Sequence, residues 1–184
     1  MAPRYAAAAS SPQDELLNAA RKQYPFISKH DVKLSITPND KKPWGYAETW
    51  LPGDMGWQGT PEQGFVNRPQ HFPPESIGID VYQPNEFSVH DIAGEVLHAD
   101  PMANKARDLL AGSLTPRQMQ ILRNQNDYKM TNDAEPIKMR NAIDSLMRGY
   151  LVGQWPAEAI KEFGLNTEQK RHLDTVKNYM MSGE

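Results

Sequence analysis

Along Asp31-Val-Lys-Leu-Ser-Ile-Thr37 apolar and polar residues alternate, with Val32, Leu34 and Ile36 on one side and Lys33 and Ser35 on the other. A period of two predicts a half-buried strand. Trp44-Gly-Tyr-Ala-Glu-Thr-Trp50 reads as its partner, and Ser76-Ile-Gly-Ile-Asp-Val-Tyr82 as a third strand that Pro84 stops. Between them, residues 52–75 hold Pro52, Gly53, Gly56, Gly59, Pro61, Gly64, Pro69, Pro73 and Pro74, a density that predicts no regular structure. So long a loop inside a compact domain is usually functional or an interface arm. Trp57, Phe65 and Phe72 lie in it as candidate partner-binding anchors. The competing reading is a satellite cluster that closes the open face of the sheet.

Beyond residue 87 the period changes to that of helices. Ser88 begins a capping-box pattern for a helix to about His98, and Asp100-Pro101 caps the next, to about Gly112. Thr115-Pro116-Arg117-Gln118 repeats the signal, and Asn166-Thr-Glu-Gln169 starts the last helix. From Pro136 to Gln154, Ile143, Leu146, Met147, Tyr150 and Leu151 fall on one face, which predicts the most buried helix. Trp155-Pro156 breaks it, and a short helix follows to Gly164. Near the start, Ser11-Pro12-Gln13-Asp14 caps a helix to about Gln23. The expected fold is α+β: a small three-stranded sheet packed on about five or six helices. Residues 1–10 read as a flexible arm before one domain, strand- and loop-rich over 11–86 and helical over 87–184.

Composition narrows the function. The chain has 184 residues, enough for a core without staples, and no cysteine, which excludes disulfides, thiolate zinc sites and cysteine nucleophiles. Residues 1–100 carry 8 Lys/Arg against 13 Asp/Glu, and residues 101–184 carry 12 against 10. Neither half is a basic patch for phosphates, so nucleic acid is not expected as the primary partner. No apolar run approaches the ~20 residues of a membrane span.

One segment carries suggestive chemistry. In His90-Asp-Ile-Ala-Gly-Glu-Val-Leu-His98, helical spacing puts Asp91, Glu95 and His98 on one face. Gly94-Glu-Val-Leu-His98 is similar to the His-Glu-x-x-His helix of zinc peptidases with glycine in the first ligand position, and a strand precedes it as in their minimal form. Were metal bound, Glu95, His98 and Asp91 would be its ligands. The structural alternative makes Asp91 a capping carboxylate, Glu95 a solvated or His-paired acid and His98 a C-terminal cation. Asp100 more simply caps the following helix. A helical glycine costs about 1 kcal/mol, so Gly94 implies close packing. His30, His71 and His172 stand alone and read as surface residues. No catalytic residue and no cofactor is assigned.

Three stretches, Ile77-Gly-Ile-Asp-Val-Tyr-Gln-Pro84, Asp91-Ile-Ala-Gly-Glu-Val-Leu-His-Ala-Asp-Pro101 and Arg148-Gly-Tyr-Leu-Val-Gly-Gln-Trp-Pro156, resemble a family of proteins from tailed, mainly short-tailed, bacteriophages. The resemblance runs from about residue 12 and implies a phage origin with a virion or DNA-delivery role, but no defined activity. The expectation is a non-enzymatic virion or accessory protein, in the virion or host cytoplasm, that binds phage or host proteins or itself. The alternatives are a zincin-like metallohydrolase, degenerate at Gly94, and a small inhibitor of a host defence enzyme.

Overall fold

The computed structural model describes residues 11–37, 47–53, 56–58, 65–67, 69–82, 84–129 and 134–183, with the backbone alone at 56–58, 65–67, 126 and 127. Helix α1 (Pro12–Gln23) leads through a 3-10 turn (Pro25–Lys29) into strand β1 (Val32–Ile36). Strands β2 (Ala47–Trp50), β3 (Gly56–Gln58), β4 (Phe65–Asn67) and β5 (Ile77–Val81) follow. Then come α2 (Val89–Leu97), α3 (Pro101–Gly112), α4 (Pro116–Arg123), α5 (Asn126–Lys129), α6 (Glu135–Leu151), α7 (Ala157–Phe163) and α8 (Thr167–Ser182). The fold is α+β, as the two periods predict. The single turn α5 is the one element here that the sequence does not predict, and it takes the helical part to seven helices among the described residues, against the five or six expected.

The sheet order is β1-β5-β2, with β5 parallel to β1 and antiparallel to β2. The last strand in sequence is therefore the middle one in space, and it is buried along its whole length. Ile77, Ile79 and Val81 join the core formed with the helices. The opposite face carries Gly78 and Asp80, opposite Lys33 and Ser35 of β1 and Trp50 and Glu48 of β2. One cluster of buried apolar side chains runs from Leu17 of α1 to Met180 of α8, so strand-rich and helical parts share a core.

Two expectations need correction: β2 is not the partner of β1, because β5 lies between them, and the long Pro/Gly-rich segment holds some regular structure. Residues 52–75 are not wholly irregular: Gly56↔Asn67, Trp57↔Val66 and Gln58↔Phe65 pair antiparallel. Each strand is only three residues, long enough for aromatic and β-branched residues to pair and too short to show a period. The first part of the predicted Trp44–Trp50 strand, residues 44–46, lies outside the described residues, and β2 is described from Ala47.

Local signals place the helices well. Ser11, Thr115 and Asn166 each accept a hydrogen bond from the backbone three residues on, and Asp14, Gln118 and Gln169 reach back. Gln118 and Gln169 do more, because both are buried. Gln118 Nε2 donates to Gln169 Oε1 at 2.9 Å and to the Gly164 carbonyl at 3.1 Å, so the caps of α4 and α8 lock each other inside the core. Ala142, Ile143, Leu146, Met147 and Leu151 of α6 are buried, and Tyr150 at the edge of that face donates to Asp174 at 2.8 Å.

Candidate functional site

Helix α2 leaves the middle strand through a short turn and begins at Ser88, whose backbone N–H and hydroxyl both donate to Asp91 Oδ2, at 2.8 and 2.6 Å. Ile92, Ala93, Val96 and Leu97 turn into the core, which aims Glu95 and the end of the helix toward β2 and α6. There Glu95 is held from two sides. Arg148 of α6 donates from Nη1 to Oε1 at 2.7 Å, and the Thr49 hydroxyl of β2 donates to Oε2 at 2.7 Å. Both carboxylate oxygens are thus bound by groups of the chain itself.

His98, the residue that closes α2, sits between two acids without a short bond to either. Its Nε2 is 3.8 Å from Glu95 Oε2 and its Nδ1 is 3.9 Å from Asp144 Oδ2. Asp144 is in turn held by Arg107 Nη1, 3.2 and 3.5 Å from its two oxygens. The result is a line of alternating basic and acidic side chains, Arg148–Glu95–His98–Asp144–Arg107, that ties α2, α3 and α6 together. Beside it a cleft of about 500 Å³ opens between β2 and α6, lined by Thr49, Leu51, Glu95, His98, Ile137 and Arg140, among others.

Gly94 now has its reason. A Cβ there would lie 2.8 Å from Arg148 Nε and 2.9 Å from its Cδ. The stem of Arg148 crosses the helix at the one position without a side chain, and its guanidinium meets Glu95 one residue on. A cation of the chain therefore occupies the neighbourhood in which the peptidase-like pattern would place a metal, and the donor set does not fit one. Asp91 is turned back onto Ser88, so Glu95 and His98 are brought near each other and Asp91 is not added to them. Among the described residues, no three His, Asp or Glu side chains converge to hold a metal ion. No family model, curated protein or solved structure matches the chain.

The other histidines and acids have definite places. His30 is not a lone surface residue: its Nε2 is 3.1 Å from Asp100 Oδ2. Asp100 is 1 % exposed, caps α3 by accepting from Ala103 N–H at 2.9 Å, and accepts from the Tyr179 hydroxyl at 2.9 Å. Burial alone would raise its pKa, but the bonds from His30, Ala103 and Tyr179 outweigh it and hold the carboxyl below its ordinary value. Burial and the same bond push Tyr179 up to about 12. His90 Nδ1 lies 2.6 Å from the Tyr24 hydroxyl. His172 lies 3.7 Å from Glu168 and His71 is exposed.

Asp80 contrasts with Asp100. It is 6 % exposed on the middle strand, and its Oδ1 is buried without a hydrogen-bond partner. Desolvation raises its pKa, against the hydrogen bonds from Thr37 and Ser35, and the nearby Glu48 adds to the rise. Next to it the Tyr82 hydroxyl donates to Glu48, and its own pKa is raised, chiefly by burial.

The aromatic anchors divide. Phe72 is 3 % exposed and its ring lies across Gly78, 2.5 Å from where a Cβ would be, so it closes the sheet rather than standing out as an anchor. Trp57 and Phe65 occupy register positions opposite Val66 and Gln58, and their side chains lie outside the described residues. Sequence reading missed Thr49, Arg107, Asp144 and Arg148. Gly94, an unexplained glycine in a helix, is the signal that points to the last of them.

Proposed function

We propose that this chain is a bacteriophage virion or accessory protein that works by binding other proteins and not by catalysis. The observation that carries the reading is the pairing at Glu95. The one helix with peptidase-like spacing has its acid tied to Arg148 and Thr49, and a guanidinium lies across the position of the missing ligand. Such a pairing serves the packing of α2 on α6 and leaves the chemistry of a hydrolase without its parts. Two features support binding. Neither outer strand of the sheet has a further partner among the described residues. The large apolar side chains of Met102, Leu109, Ile137 and Met181 are exposed, at 39, 42, 50 and 53 %. Origin in a tailed phage rests on the three sequence stretches that resemble such proteins.

Two measurements test this. Native mass of the purified protein, alone and with candidate phage or host proteins, should show association, and Trp57→Ala should abolish it with the melting temperature of the monomer unchanged. Elemental analysis that finds about one zinc per chain, lost in His98→Ala, would overturn the reading in favour of a metallohydrolase.

A further inference from the structure

The sheet has a second flank, on the side of β1. Ile77 N–H donates to the Asp31 carbonyl at 2.8 Å and Thr37 N–H to the Val81 carbonyl at 2.9 Å. Backbone groups of successive residues in a strand point to opposite sides. Asp31, Lys33, Ser35 and Thr37 therefore face β5, and the N–H and C=O groups of Val32, Leu34 and Ile36 face outward. Val32 and Leu34 line a groove of about 420 Å³ between β1, α1 and the turn that carries His71 and Phe72, and Ile36 continues the same edge beyond it. Its apolar floor includes Leu17, Val32, Leu34 and Phe72.

The charges around this groove are lopsided. Arg21 projects into it from α1, half-buried, with its Nε buried and without a hydrogen-bond partner. A buried donor left unmade is costly, and in a charged group more so. Lys33 and His71 also line the groove. Lys33 is shared with Asp31 at 2.7 Å, a pair of half-exposed groups that is worth little in water. Asp14 is the one acid of the lining among the described residues, and its Oδ2 is turned to the Ser11 hydroxyl at 2.7 Å as part of the α1 cap.

We propose that this groove binds an extended acidic segment of a partner protein, which adds to the sheet as a strand beside β1. The outward groups of Val32, Leu34 and Ile36 would pair with the backbone of the incoming strand. A glutamate or aspartate side chain would take the guanidinium of Arg21, with Lys33 and His71 beside it. Strand addition supplies affinity from backbone bonds, and alternate side chains supply the choice of partner. A carboxylate matches the guanidinium fork and satisfies the buried Nε. The inference rests on the protein-binding reading above and names the chemistry of the partner.

The test is selection of binders from a random peptide-display library on the whole protein, followed by amide hydrogen exchange with the selected peptides. Enrichment in aspartate and glutamate is expected, with protection of the amides of Val32, Leu34 and Ile36. Arg21→Gln should weaken the selected peptides roughly tenfold or more while its circular dichroism and melting temperature match the parent, and Arg21→Lys should restore part of the loss. Added salt should weaken binding too. Binders without acidic enrichment, or binders that protect other strands, would overturn the edge site and leave the protein-binding reading standing. Displacement by inorganic phosphate alone would overturn it as well, since Arg21 would then read charge without a strand. A dimer by native mass that protects the same amides would make the occupant a second copy and not an acidic partner. No binder together with no association in any mixture would remove both readings.

Discussion

The two edges of the sheet are built alike and finished differently. Each outer strand runs beside a helix, β2 beside α6 and β1 beside α1, with a groove between them of about 500 and 420 Å³. On the β2 side both half-buried acids have a guanidinium, Glu95 with Arg148 and Asp144 with Arg107. On the β1 side no acid pairs with the guanidinium of Arg21 among the described residues, and its Nε is buried without an acceptor. A charge that the fold has paired for itself stabilises the fold. A charge that the fold leaves unpaired in a groove has to be explained by something else. The side that looks chemical in sequence is thus the structural one, and the side with no motif is the one that invites a ligand.

The largest effect should come from the element that supports the paired side. Leu146 is 2 % exposed on the buried face of α6, the helix that presents both Asp144 and Arg148. Leu146→Ala is expected to cost roughly 2–5 kcal/mol in urea unfolding. A change within about 0.5 kcal/mol would mean that α6 is not anchored through this face, and the paired edge would lose its foundation.

Next comes the pair itself. Arg148→Met leaves Glu95 with only the Thr49 hydroxyl, in a setting where its side chain is 15 % exposed. The expected cost is about 1–3 kcal/mol. Glu95→Gln made on that background should recover part of it, because removing both partners is cheaper than stranding one. Additive losses would show that the two side chains do not work as a pair.

A smaller effect, with a sign set by pH, separates the two buried aspartates. Asp100 has a lowered pKa, so its contribution is complete above the unfolded value and is lost as pH falls through the folded one. Asp80 has a raised pKa, so the folded state holds its proton more tightly, and its contribution fades as pH rises through the folded value. Asp80→Asn should therefore gain in melting temperature relative to the parent as pH rises from acid to neutral, and Asp100→Asn should lose. The same trend in both variants would contradict the assignment.

The smallest expected effect is on the unpaired side. Arg21→Gln should change stability by no more than about 0.5 kcal/mol, since it breaks no bond of the described fold. A loss comparable to that of Arg148→Met would mean that Arg21 is structural, and the contrast between the edges would collapse.

Much of this was open to reading in the chain, and the division follows distance along it. The caps at Ser11, Ser88, Asp100, Thr115 and Asn166 act over three residues, so the sequence displays them whole. The alternation in β1 and the apolar face of α6 are equally local. The short β3–β4 pair hides behind its glycines and prolines, because strands of three residues carry no period. The middle position of β5, and the reach of Arg148 to Glu95 and Arg107 to Asp144, depend on segments that meet only after folding. The candidate helix was found for its spacing. What its acid does was settled by a residue far along the chain, and only Gly94 hinted at it.

The placement of β5 between β1 and β2 also has a kinetic consequence. The two outer strands do not pair with each other, so neither finds its neighbour in the three-stranded sheet until β5 is present. Both must wait for Ile77–Val81 to be made and brought between them, one rung of the parallel pair joining Val32 to Ile77. Loop closure has to come before its reward, which slows a fold relative to one built from neighbouring segments. During synthesis β1 and β2 emerge as orphans, whereas α1 can form at once. The rate-limiting event should be insertion of the middle strand, so Ile79→Val is expected to slow refolding in stopped-flow experiments by a larger factor than a helix-surface change of equal equilibrium cost.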